Sequence, residues 1–195
     1  MARRADRRVE RTRRSCMHAL VSLIAEKGYE RVTVQEIIDR ADVGRSTFYA
    51  HYDDKESLLM EGFGSFRSFL VGHQRKSLAA SVGGLHIRGF GFVLPLLEHV
   101  REMLPFCRAL MNSVGQSHLD QVLTELVRED LKALAPRERG PIPRDVVVRY
   151  AVSALTAVIR WWVDDGAKVP PAEVERIFRE LALPGLAGGV GLRPR

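Results

Sequence analysis

Apolar positions recur at helical spacing along most of this chain. Met17, Leu20, Leu23 and Ile24 define one helix, and Gly28 after Lys27 is a plausible C′ stop. Val34, Ile37, Ile38 and Ala41 define a second. It opens on Thr33, whose hydroxyl and the Glu36 carboxylate have the spacing of a capping box. Ala41-Asp42-Val43-Gly44 interrupts the pattern, because Asp and Gly tolerate the left-handed backbone of a sharp turn. A short helix then surrounds Phe48. Asp53, with Glu56 three residues on, is the expected cap of a longer helix carrying Leu58, Leu59, Phe63, Phe66, Phe69 and Leu70. Gly62, Gly64 and Gly72 inside it suggest close crossings or a bend. Further helical patterns run from Phe92 to Val100, from Met103 to Met111, from Ser117 (with Asp120) to about Leu134, and from Arg144 to Val163. A last one starts at Pro171, with Val174, Ile177, Phe178 and Leu181 on one face. Glycines over 81–91, Gly115-Gln116 and the stretch from Pro136 to Pro143 read as connections, and 184–195 as a disordered tail. The pattern predicts an all-α chain of about nine helices, with a three-helix head over 1–55 and a helical-bundle body over 56–195.

Two short helices joined by a three- or four-residue turn form a helix-turn-helix, whose second helix enters a DNA major groove. That second helix carries Arg45, Ser46, Thr47, Tyr49 and His51, side chains that reach base edges and phosphates. The stretch VTVQEIIDRADVGRSTFYAHYDDKESLL resembles the DNA-binding segment of the TetR family of bacterial one-component transcription regulators, over roughly residues 10–60. Asp42 stands where the family usually has Gly, and Gly44 where it often has Ser; both are compatible with the motif. The resemblance implies DNA contacts from Thr33, Gln35, Gly44, Arg45, Ser46, Thr47, Tyr49, His51 and Lys55. Arg45 would read a guanine, Thr47 a thymine methyl or base edge, and Tyr49, His51 and Lys55 would grip phosphates. Phe48 and Tyr52 read as core.

The formal net charge of +6 is concentrated at the N-terminus, where seven arginines against Asp6 and Glu10 put +5 into the first fourteen residues. Beside a helix-turn-helix such a block, with Arg7, Arg8 and Arg11 nearest the motif, tracks the phosphate backbone or enters the minor groove; otherwise it is a solvated arm. The most apolar runs, Phe90–Leu97 and Val146–Val163, are too short or carry Pro95, Arg149 and Arg160, so no membrane span is expected. The Arg-rich start lacks the apolar stretch of a secretory signal. Two cysteines, Cys16 and Cys107, make no disulfide framework, and cytoplasmic residence is the simpler reading. His86, His99 and His118 are too widely spaced for a metal site, and no cofactor motif is present.

In the family the middle of the body encloses a small-molecule cavity. Here the side chains expected to line it are Phe63, Phe66, Phe69, Phe90, Met103, Phe106 and Met111. The helix from Arg144 is apolar on nearly every side, which calls for cover on several faces. By resemblance, it and the last helix pair with a second subunit through Val147, Ala151, Ala154, Leu155, Val158, Trp161, Trp162, Val174, Ile177 and Phe178. The expectation is a homodimeric repressor released from a pseudo-palindromic operator by a small, apolar effector. One alternative is a DNA-binding regulator controlled by a protein partner. An α-helical enzyme is a remote one, because no nucleophile–base pattern, phosphate loop or metal-ligand spacing supports it.

Overall fold

A computed structural model of the chain describes residues 2–79, 89–111, 113–135 and 141–190. Among these residues nine α-helices occur: α1 (Ala2–Lys27), α2 (Val34–Ala41), α3 (Arg45–Tyr49), α4 (Lys55–Ala79), α5 (Val93–Glu102), α6 (Leu104–Leu110), α7 (Val114–Leu134), α8 (Arg144–Asp164) and α9 (Pro171–Gly189). A 3₁₀ turn, Tyr29–Arg31, links α1 to α2, and no strand is present among the described residues. The fold is all-α.

Two compact units result, Met1–Phe66 with Pro105–Gln116, and Arg67–Leu104 with Ser117–Arg195. The head is therefore larger than the expected 1–55. Its core gathers Leu20, Ile24, Ile37 and Phe48 with Leu58 and Leu59 of α4 and Leu110 of α6. Without these last three the short α2 and α3 would leave apolar surface uncovered. Gly28, with φ +81°, ends α1, and its N–H donates to the Ile24 carbonyl at 2.8 Å.

The second unit is built around α9, which packs against α8 and α5. Phe178 of α9 meets the Phe90 ring edge to face at 5.5 Å. Phe90 has φ +61°, rare for a bulky residue. Polar groups hold it there. Its N–H donates to Asp130 Oδ2 at 2.6 Å, and Gln74 Nε2 donates to Asp130 Oδ1 at 2.9 Å and to the Leu126 carbonyl at 2.6 Å. Burial pushes the Asp130 carboxyl up to about 6, against the opposing pull of its hydrogen bonds and of Arg179.

Several local expectations are corrected. Residues 184–189 continue α9 instead of forming a tail, because Ala182, Leu183, Leu186 and Ala187 keep one face buried past Pro184; 191–195 lie outside the described residues. α7 starts at Val114, ahead of Ser117. Gly115 is inside it, where an added Cβ would stand 2.8 Å from Leu110 Cβ, so the glycine serves a close approach and not a turn. The cap of α4 is Asp54, not Asp53: its carboxylate accepts from Ser57 N at 2.7 Å, and Ser57 Oγ accepts from Asp54 N at 3.3 Å. The loop expected over 81–91 and the connector from Pro136 fall largely outside the described residues, as does His86. α8 is long and apolar enough to cross a bilayer, with a mean hydropathy of 1.4, yet Val148, Ala151, Leu155, Ile159 and Trp162 are spent in the core of its own unit.

Candidate nucleic-acid interface

The head presents α3 as a five-residue helix pinned by one side chain. Phe48 is fully buried, while Arg45, Ser46 and Tyr49 on the same short helix are exposed. The turn before α3 is made by Asp42, whose φ of 51° and ψ of 52° are left-handed, and by the extended backbone of Gly44. The expected capping box on α2 is present. Glu36 N donates to Thr33 Oγ1 at 3.3 Å, and Thr33 N and Oγ1 donate to Glu36 Oε2 at 2.9 and 2.8 Å. The Glu36 carboxyl is held down at about 2, first by Lys27 and then by Thr33.

Among the described residues the Arg45 guanidinium makes no hydrogen bond or ion pair; it lies over the Tyr49 ring, 5.7 Å from its centroid. A donor fork with five N–H groups and no protein acceptor is available to a base or phosphate. Gln35 is exposed on α2 and donates to Asp39 Oδ1 at 2.7 Å, a surface bond that a base edge can replace. Thr47 and His51 are half-buried, His51 with its ring 6.3 Å from that of Tyr52. Thr47 faces a cleft of about 420 Å³ shared by the 41–44 turn and by Arg11, Thr12 and Ser15 of α1. Thr12 and Ser15 are absent from the expected contacts. Ser15 stands four residues after Arg11 and three after Thr12 on a helix, and that spacing is the signal that could have placed them beside the cleft.

The arginine block is helical, since α1 begins at Ala2. Arg7 and Arg11 are exposed on it, while the side chain of Arg8 lies outside the described residues. Two expected contacts are already engaged within the head. Thr33 caps α2, and Lys55 Nζ donates to the carbonyls of Tyr29, Glu30 and Val32 at 3.0, 3.3 and 2.9 Å. Its ammonium also sits 4.4 Å from the centre of the Tyr29 ring.

The side chains expected to line an effector cavity divide between the two units. Phe63, Phe66, Phe106 and Met111 belong to the first, Phe69, Phe90 and Met103 to the second. Phe63 and Phe106 pack on the head core, Phe90 is fully buried against Phe178, and Phe69 is exposed, 4.8 Å from the His73 ring. The expected dimer residues are also redistributed. Val147, Ala151, Leu155, Trp162, Val174 and Phe178 are at most 3% exposed and fill the core of their own unit. Ala154, Val158 and Ile177 are half-buried, and only Trp161 of the set is exposed. The outward row of α8 is Val146, Tyr150, Ser153, Ala157 and Trp161, with exposed Leu181 on α9. No group of three metal-ligating side chains occurs among the described residues. Burial raises both thiols, that of Cys107 to about 12, so neither is a ready thiolate.

Known proteins share parts of this sequence and its fold. Residues 17–61 match the N-terminal model of the bacterial regulatory proteins of the TetR family, and residues 90–183 match a transcriptional regulator C-terminal region. The chain is 26% identical over 166 residues to the HTH-type transcriptional regulator YxbF of Bacillus subtilis, covering 84% of this chain and 42% of that protein. It is 27% identical over 123 residues to IcaR of Staphylococcus epidermidis, the negative transcriptional regulator of the biofilm operon icaADBC, covering 60% of this chain and 65% of IcaR. The chain thus spans less than two thirds of the length of these two relatives. Similar solved structures include a TetR transcriptional regulator from Streptococcus agalactiae, with TM-score 0.70, 23% identity and coverage of 93% of this chain and 99% of that one. The fatty acid degradation regulator FadR of Bacillus halodurans gives 0.68, 20%, 93% and 97%. A head with this helix-turn-helix, joined to a matching C-terminal region, is that of a transcriptional regulator, and the chain belongs to the TetR family of bacterial regulatory proteins.

Proposed function

We propose that the protein is a homodimeric repressor that reads a pseudo-palindromic operator through α3 and leaves it when a small apolar effector binds the body. The observation that carries the DNA reading is the exposed Arg45 guanidinium, without an acceptor among the described residues, on a helix anchored by Phe48. Arg45 reads a guanine in the major groove, with Gln35, Ser46 and Thr47 at neighbouring base edges. Tyr49, His51, Arg7 and Arg11 hold phosphates, which fixes the register of the head on the duplex. Two heads related by a twofold axis require half-sites about one helical turn, or a multiple of it, apart. IcaR is a negative regulator, and repression is carried over from it here as part of the proposal.

Release requires an effector with a large preference for one of two states, about 5.5 kcal/mol to move the balance from mostly bound to mostly free. Selection of duplexes from a random-sequence pool by the purified protein tests the proposal. A palindromic sequence should be enriched, and added hydrophobic compounds should release it. Enrichment of no sequence would remove the DNA reading. Binding insensitive to every such compound would favour control by a protein partner.

A further inference from the structure

Lys55 carries more than its place in the motif explains. An ammonium has three donors and no acceptor. Here three backbone carbonyls converge on it, Val32 at 2.9 Å, Tyr29 at 3.0 Å and Glu30 at 3.3 Å, with the Tyr29 ring as a fourth contact at 4.4 Å. Its donor capacity is filled. The three carbonyls come from the 3₁₀ turn and the residue after it, so a cation there also complements the open end of a helical turn.

The position of this contact along the chain gives it a consequence. Val32 is the residue before Thr33, the N-cap of α2, and Lys55 is the first residue of α4, immediately after the segment that follows α3. The bonds from Lys55 therefore join the two ends of the α2–turn–α3 stretch. We infer that Lys55 is an internal clamp closing the helix-turn-helix on itself, a positioning residue for base reading and not a phosphate contact. This rests on the DNA-reading proposal above. Within the clamped stretch Ile37, Ile38 and Phe48 keep α2 and α3 on the head core, so releasing the clamp shifts the recognition helix without dissolving it. Base contacts depend on the placement of a donor fork against specific acceptors, whereas phosphate contacts tolerate displacement. Loss of the clamp should therefore lower specific binding and spare non-specific binding.

The test uses the full chain, the duplex enriched by the wild type, a scrambled duplex, and two variants. Lys55→Met removes the cation and keeps the stem over Tyr29. Lys55→Arg keeps the charge, but a planar fork cannot offer donors to three carbonyls converging on one nitrogen. Both variants should reduce the ratio of specific to non-specific affinity about tenfold. Both should leave unchanged the slope of log K against log salt, with circular dichroism showing the helices intact. Parallel weakening on both duplexes with the slope reduced by about one in Lys55→Met would mean a phosphate contact and overturn the clamp. Lys55→Arg binding like the wild type would overturn it too, and this variant decides the matter even if Lys55→Met does not fold. So would a lowered melting temperature with an unchanged ratio, the mark of a purely structural lysine. A wild type that enriches no sequence refutes the DNA reading itself, a result separate from any of these.

Discussion

An arginine lying over an exposed tyrosine ring gives up about 0.5–1 kcal/mol when it swings away. A bidentate bond to a guanine returns about 1–3 kcal/mol of discrimination against other bases. Arg45 is in that position, which is why its present partner does not count against a role on DNA. Arg45→Ala should weaken binding to the enriched duplex by about 1–3 kcal/mol and relax base preference at one position of each half-site. Repeating the pool selection with the variant checks this. Asp130 makes a different case. Its folded carboxyl titrates at about 6, above the ordinary 3.8, so the folded state holds the proton more tightly than the unfolded chain. Stability contributed by this group is then greatest below pH 4, falls as pH rises through about 4 to 6, and is level above, a loss of about 3 kcal/mol. Denaturant unfolding of the wild type from pH 4 to 7 should show the fall, and Asp130→Asn should flatten it. Phe90 N and Gln74 Nε2 donate to different oxygens of Asp130, and a carboxamide has only one, so at pH 4, where the wild-type carboxyl is neutral too, the same variant should be less stable by about 1–3 kcal/mol.

Helices were legible wherever a local rule governed them. The α2 box needs only Thr33 and Glu36 three residues apart, and Thr33→Ala should remove about 1 kcal/mol of stability, measured by denaturant unfolding. Long-range partners were not legible. Nothing in the neighbourhood of Lys55 announces three carbonyls more than twenty residues upstream. The same limit explains α9. Ala182, Leu183, Leu186, Ala187 and Val190 keep helical spacing, but Pro184, Gly185 and Gly188 read as breakers until the core that covers the apolar face is known. Glycines in α4 were ambiguous for an allied reason, since a sequence does not say what lies opposite. A Cβ on Gly62 would meet Met17 Cε at 3.0 Å, whereas one on Gly72 would meet nothing within 4 Å. Gly72→Ala should therefore stabilise the protein by about 1 kcal/mol, while Gly62→Ala gains little or nothing because Met17 must give way. Thermal melts of the two variants side by side separate these outcomes.

At the scale of the whole molecule, burial decides which face of α8 is left for a partner. An apolar helix has no visible inside or outside in its sequence, so Val147, Ala151, Leu155 and Trp162 read as interface although their own unit encloses them. What remains outside is a row with spacing close to the helical period: Val146 at 52% exposure, Tyr150 at 48% and Trp161 at 48%, with Ser153 and Ala157 between them. Leu181 on the neighbouring α9 is 69% exposed, and Gly185 of α9 would bring a Cβ within 3.6 Å of Tyr150 Oη. Large side chains at the ends of a row and small ones at its centre let two helices cross closely, and a stable homodimer needs roughly 1,000 Å² or more of such surface. Under the dimer proposal, Trp161→Glu and Leu181→Glu put unpaired charges into that surface, whereas glutamate at solvent-facing positions of a monomer changes stability by less than about 0.5 kcal/mol. Sedimentation should give a dimer for the wild type and a folded monomer for the double variant, with helix content kept. The operator then supplies a second reading. Two tethered heads bind with an effective concentration that one head lacks, so the monomer should lose about 10²-fold or more in affinity for a full palindrome while half-site affinity is unchanged. An intact dimer in the double variant would move the interface off this face. A monomeric wild type would leave α8 and α9 without a partner and the palindrome without a reason.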